Sequence, residues 1–132
     1  MKKILKFYLP IVLWCLVIFL FSAHPQIKTS EIYWQDFILK KSAHISEYAI
    51  LSFLFYRAFL NEGYKNTDAG FYAILLCIIY AFSDEFHQLF VMGRTSTLRD
   101  IVFDTTGASL AVIFGIKFFP KLPLKIRKLF DI

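Results

Sequence analysis

Cysteine is scarce in this sequence. Cys15 and Cys77 are the two among 132 residues, and each lies in the middle of an apolar block. That pattern excludes a disulfide framework or a cysteine-built zinc cluster and leaves both as small buried hydrophobes. Internal repeats and low-complexity stretches are missing as well. No nucleophile-elbow pattern surrounds Ser83, so no serine nucleophile stands out. The net charge of +5 comes without any groove-entering or base-stacking motif, which removes nucleic acid as a partner. The basic residues gather instead at the ends of the apolar blocks, where Lys and Arg meet anionic headgroups and set topology.

What the chain has in abundance is apolar bulk. The apolar fraction is 58%, the aromatic fraction 19%, and there are 16 Phe. A water-soluble domain of this length leaves too much surface exposed to hide such a composition. The apolar residues also fall in blocks approaching the ~20 residues that a helix needs to cross a hydrocarbon core of about 30 Å. The bilayer is therefore the expected solvent, with the Phe and Tyr side chains largely facing lipid.

The expected fold class is all-α and polytopic, a single domain over 1–132 with helices over 7–23, 41–60, 69–90 and 99–119 and a basic tail over 120–132. The basic start before the first block resembles a signal peptide, but Phe21 and Ala23 make a poor small-x-small cleavage site, so a retained helix is expected. Residues 24–40 read as a polar and aromatic connection, with Tyr33 and Trp34 at the interface. Gly63 and Asn66 mark a turn before the third helix. A cytoplasmic N-terminus places Lys2, Lys3, Lys6, Arg57, Lys65, Lys117, Lys121, Lys125, Arg127 and Lys128 on one side. Lys28, Lys40, Lys41, Arg94 and Arg99 fall on the other. The positive-inside rule then favours four spans with both ends in the cytoplasm. The tail, with apolar residues between its charges, reads as an amphipathic segment on the membrane surface.

Polar residues inside the apolar blocks cluster where this topology meets the outer face. The second helix carries Lys41, His44, Glu47 and Tyr48; the third ends in Ser83, Asp84, Glu85, His87 and Gln88. Arg94 follows in the loop, and the fourth helix opens with Arg99, Asp100, Asp104 and Thr105. The spacings His44/Glu47, Asp84/His87/Gln88 and Asp100/Asp104 put each set on one helix face. Ionisable groups in spanning segments are costly and usually turn toward a bundle interior or a wet cavity. One outward polar pocket is expected, built from three helices and a loop. The plainer reading is interhelical glue, with His44 beside Glu47 and His87 beside Asp84. The whole set of acids, imidazoles and Arg94 exceeds what packing requires. Gly107, Ala108 and Ser109 read as small residues that let helices approach closely.

The ordered run Lys41-x-x-His44-x-x-Glu47-Tyr48, Ser83-Asp84-Glu85-x-His87-Gln88, Gly93-Arg94 and Asp100-x-x-x-Asp104-x-x-Gly107 resembles the VanZ family. The likeness covers about 40–115, with a compatible first helix before it, and Lys40 stands where the family pattern has an acid. The resemblance implies an integral protein of the cell membrane linked to low-level resistance to the glycopeptide teicoplanin, and hence to the cell envelope. It supplies no biochemical activity.

Three uses of the pocket follow from its chemistry. As an enzyme acting on a lipid-linked envelope precursor, it would use His44 or His87 as general base, oriented by Glu47 or Asp84, with Glu85 as a second acid. As a binding protein for a glycopeptide or cell-wall precursor, it would use Lys41, Tyr48, Gln88, Arg94, Asp100 and Asp104 for complementarity, with Arg94 holding a phosphate or carboxylate. As a metal site, two imidazoles and several carboxylates suit zinc or manganese, but the neighbouring Arg94 and Lys41 oppose a resident cation. No metal or other cofactor is therefore assigned, and oligomeric state is left open.

Overall fold

A computed structural model describes residues 2–25, 32–94, 96–125 and 127. Among the described residues there are four helices: α1 (Lys2–Ser22), α2 (Tyr33–Asn61), α3 (Asn66–Gln88) and α4 (Leu98–Phe118), followed by a 3-10 turn, Phe119–Lys121. Pro10 lies within α1. Lys28 and Lys128, both used in the charge count, lie outside the described residues, as does most of the end of the basic tail.

Three spans are long and apolar enough to cross a membrane: Lys3–Ser22, Asn66–Gln88 and Leu98–Lys121. The 21 residues of α1 rise about 31 Å, close to the thickness of a hydrocarbon core. Its outward side chains Val12, Leu13 and Leu16 are each at least half exposed, as residues that face lipid should be.

α2 differs from the expectation. It opens at Tyr33, eight residues before the predicted start at Lys41, and takes in Trp34 and Asp36. The Lys40 ammonium reaches the Asp36 carboxylate at 2.8 Å one turn away, the pairing that supports an exposed helix end. The charges that made this stretch read as a connection thus stabilise its first turns. At 29 residues α2 rises about 43 Å, more than a hydrocarbon core requires.

The helices alternate in direction. Lys3 and Tyr8 of α1 meet Glu62 just past α2, at 3.2 Å each, and the Arg57 guanidinium sits 4.9 Å from the Phe7 ring centre. At the opposite end Arg94, between α3 and α4, reaches the carbonyls of Phe21 and His24. The odd helices run one way and the even helices the other.

α2 and α4 are consequently parallel, and they form the tightest pair. Contacts run from Lys41–Asp100 through His44–Asp104 and Ser52–Ala108 to Tyr56–Gly115. Gly107 permits the approach: a β-carbon there would lie 2.2 Å from the Ile45 carbonyl oxygen. Because α2 lies beside α4 over this length, it shares the depth of a helix that is itself able to span. On α3, Ala69, Ala73, Cys77 and Ala81 repeat every four residues and are fully buried. A line of small side chains brings helices close where hydrophobic driving force is weak. α1 packs most loosely and is held by hydrogen bonds: the Trp14 indole donates to the Glu47 carbonyl at 2.9 Å and the Tyr80 hydroxyl to the Cys15 carbonyl at 2.6 Å.

Candidate functional site

The small-residue line of α3 continues, one helix turn on, into Asp84, Glu85 and Gln88. Packing that brings the helices together therefore carries these polar groups inward, where they are buried. α2 brings Lys41, His44 and Glu47 to the same end, and α4 brings Asp100 and Asp104, both buried. Between them lies a half-open cavity of about 800 Å³.

Its walls are of two kinds. α1 lends an apolar side of Val17, Ile18, Leu20 and Phe21. α2, α3 and the α3–α4 loop lend Lys40, Lys41, His44, Glu47, Asp84, Gln88 and Arg94. One face suits a hydrocarbon chain and the other a polar headgroup.

The polar wall is partly wired. Lys41 is bonded to the Asp100 carboxylate. His44 Nδ1 donates to Asp104 Oδ1 at 3.0 Å. A carboxylate only accepts, so Nδ1 carries the proton and, in the neutral ring, Nε2 is left as an acceptor. His44 Nε2 has no protein partner among the described residues. Gln88 Nε2 donates to Asp84 Oδ2 at 2.9 Å, while Asp84 Oδ1 is buried without a hydrogen bond. The Glu47 side chain makes no hydrogen bond or ion pair among the described residues. Arg94 Nε donates to the His24 carbonyl at 2.8 Å, and a terminal nitrogen donates to that of Phe21. Arg94 thus satisfies carbonyls at the end of α1, which otherwise lack partners. Gly93 precedes it at φ 79°, a left-handed conformation that suits glycine and turns the loop back toward α1.

The family model VanZ/LLP1 matches residues 7–119. The chain belongs to the VanZ/LLP1 family. No curated protein and no solved structure matches it. The run of residues that resembles VanZ thus lies inside a match that also takes in α1, and the VanZ/LLP1 helices are those that build the cavity.

The structure sorts the predicted residues of this VanZ-family chain. Lys41, His44, Glu47, Asp84, Gln88 and Arg94 line the cavity together. Asp100 and Asp104 stand behind it, each bonded to a lining side chain. Glu85, His87 and Tyr48 are not among the lining residues. Glu85 Oε2 accepts the Thr97 backbone N–H at 2.8 Å and so ties the end of α3 to the entrance of α4. The His87 ring lies against Phe19, centroids 4.4 Å apart. Tyr48 is fully buried, its ring 6.3 Å from that of Tyr80.

Two expected pairings give way to others. His44 pairs with Asp104 across to α4, not with Glu47 on its own helix, and Asp84 accepts from Gln88, not from His87. Residues three apart share a face, but Asp104 of α4 supplies the acceptor for His44, and on α3 the longer amide of Gln88, one turn on, reaches Asp84 while the His87 ring turns to Phe19. The contribution of α1 was not anticipated. Its apolar lining carries no pattern that sets it apart from lipid-facing Leu and Phe, so the sequence offered no signal for it. Among the described residues no group of three His, Cys, Asp or Glu is placed to hold a metal ion.

Proposed function

We propose that this VanZ-family membrane protein binds an amphiphilic envelope molecule in the cavity, and through it contributes to teicoplanin tolerance or cell-envelope homeostasis. The observation that carries the reading is the two-sided cavity: an apolar wall from α1 faces His44, Glu47, Asp84 and Arg94 at one end of the bundle. Groups of this kind are expensive to keep among spanning helices and mark ligand pathways when they meet in one space. A cell-wall precursor on a lipid carrier, or a glycopeptide that reaches the outer face, has the required combination of chain and polar head.

A second reading is supported by the Asp104–His44 arrangement. A carboxylate that fixes the imidazole tautomer and leaves Nε2 free toward a cavity is the arrangement of a general base. The protein would then be an enzyme acting on a lipid-linked envelope precursor, with His44 drawing a proton from water or a substrate hydroxyl. Ser83 does not supply a nucleophile: its hydroxyl is exposed and donates to the Tyr80 carbonyl at 2.8 Å.

The test is teicoplanin susceptibility of a sensitive host carrying wild type, His44→Ala or Glu47→Gln at matched membrane levels. Protection by wild type and its loss in both variants supports the pocket reading. Full protection by the variants would overturn it. An altered precursor pool in the wild-type host, abolished by His44→Ala, would select the enzyme over the binder.

A further inference from the structure

Each cationic side chain of the cavity already has a protein partner, whereas several acceptors have none among the described residues. Lys40 is paired with Asp36 and Lys41 with Asp100, and Arg94 spends donors on two α1 carbonyls. The acceptors left without a protein donor are the Glu47 carboxylate, Asp84 Oδ1 and His44 Nε2. Asp84 is 4% exposed, lines the cavity, and its Oδ1 has no hydrogen-bond partner. A buried carboxylate oxygen left without a partner carries a full desolvation penalty, which a donor brought by a ligand would relieve. Formal charge points the same way. With both lysines paired and the His44 ring neutral, Arg94 alone offsets the carboxylates of Glu47, Asp84 and Asp104, leaving negative charge in excess.

Resting on the amphiphile-binding reading above, we infer that the headgroup this cavity takes is a primary ammonium. An –NH₃⁺ brings one positive charge and three donors. The cavity offers an excess of negative charge and three acceptors, Glu47, Asp84 and Nε2 of the neutral His44 ring. The apolar wall of α1 then receives a hydrocarbon chain beside the ammonium, so the amine belongs to an amphiphile and not to a small water-borne molecule. The same inference turns away a phosphate headgroup, which would bring further negative charge to a wall that already holds the Glu47 and Asp84 carboxylates. It also reassigns Arg94, expected from the sequence to be an anion clamp, to positioning: it anchors the loop to α1 and shapes the cavity.

The experiment is binding to the purified full chain in detergent micelles, read by thermal unfolding and by the emission of Trp14, which touches the Glu47 carbonyl. The probes are dodecylammonium, dodecyltrimethylammonium, dodecyl phosphate and the short ethylammonium. Dodecylammonium is expected to raise Tm in a saturable way, to bind at least tenfold more tightly than the other three, and to lose at least tenfold in affinity in Glu47→Gln and in Asp84→Asn. The ligand series in wild type stands even if one variant fails to fold. Equal binding of the trimethyl compound would overturn the donor match, and preference for dodecyl phosphate would overturn the sign of the charge. Equal binding of ethylammonium would overturn the chain. If dodecyl phosphate binds and His44→Ala abolishes it, this inference fails while the amphiphile pocket survives. If every probe binds the pocket variants as it binds wild type, and those variants still protect the host, both fall together.

Discussion

At the scale of single residues, the carboxylates of this bundle do different work although the sequence writes them alike. Asp104 is almost fully buried and orients His44; Asp100 neutralises Lys41; Glu85 holds the entrance of α4; Glu47 and Asp84 line the cavity. The helical spacings identified nearly all of these residues, because an acid or imidazole inside an apolar block has few reasons to be there. Partnership was less legible. A spacing of three or four fixes a face and leaves open which residue of which neighbouring helix that face will meet. The His44–Asp104 contact makes a direct prediction: in the neutral ring the proton resides on Nδ1. Nitrogen NMR of histidine-labelled protein, with the His44 signal assigned by its loss in His44→Gln, is expected to show the Nδ1–H tautomer. An Nε2–H tautomer would remove both the general-base reading and the three-acceptor count.

At the scale of elements, the small residues decide where the helices sit. The sequence marked 107–109 as a place of close approach, and Gly107 is where the α4 backbone meets the α2 backbone at Ile45. The early start of α2 was hidden because Asp36 and Lys40 look like loop residues when the next apolar run is taken as the helix. They are the exposed and semi-exposed turns of one long helix. Two glycines offer a paired test. In Gly107→Ala the new methyl meets a backbone carbonyl at 2.2 Å, and a backbone in a packed helix gives way only if the helix moves. In Gly70→Ala it meets Val112 Cγ1 at 2.6 Å, a buried methyl of a β-branched side chain that is stiff in a helix, though not backbone. Overpacking of a tight interface costs about 1–3 kcal/mol, so Gly107→Ala is expected to fall in that range and to loosen the Lys41–Asp100 and His44–Asp104 contacts. Gly70→Ala should cost less than Gly107→Ala, because its contacts are side-chain methyls of Val112 and Ile116 and not a backbone carbonyl. Thermal unfolding of both variants in one detergent measures the difference. Equal losses would mean that the α2–α4 contact is not the tight one.

At the scale of the whole molecule, alternating helices sort the described charges into two ends. Lys3, Lys6, Arg57, Lys65, Lys117 and Lys121 belong to the end away from the cavity, while Lys40, Lys41, Arg94 and Arg99 belong to the cavity end. Three of those four do not act as free flanking charges. Lys40 and Lys41 are paired with acids, and Arg94 is bonded to the end of α1. The opposite end holds the excess, and flanking Lys and Arg are retained on the cytoplasmic side. The cavity is then expected to open toward the outer face, where envelope precursors and glycopeptides are met. A fluorescent protein fused after residue 132 should fluoresce, and alkaline phosphatase at the same point should be inactive. The loop gives the complementary reading. Ser96→Cys should react with a membrane-impermeant maleimide added to intact cells, against a background kept low by the burial of Cys77 and the position of Cys15 within α1. If the loop labels only after the membrane is opened, and the C-terminal phosphatase is active, the bundle is inverted. The cavity would then face the cytoplasm, and an amine-bearing ligand would have to be sought among inner-leaflet amphiphiles, since the chemistry of Glu47, Asp84 and His44 does not depend on which side they open to.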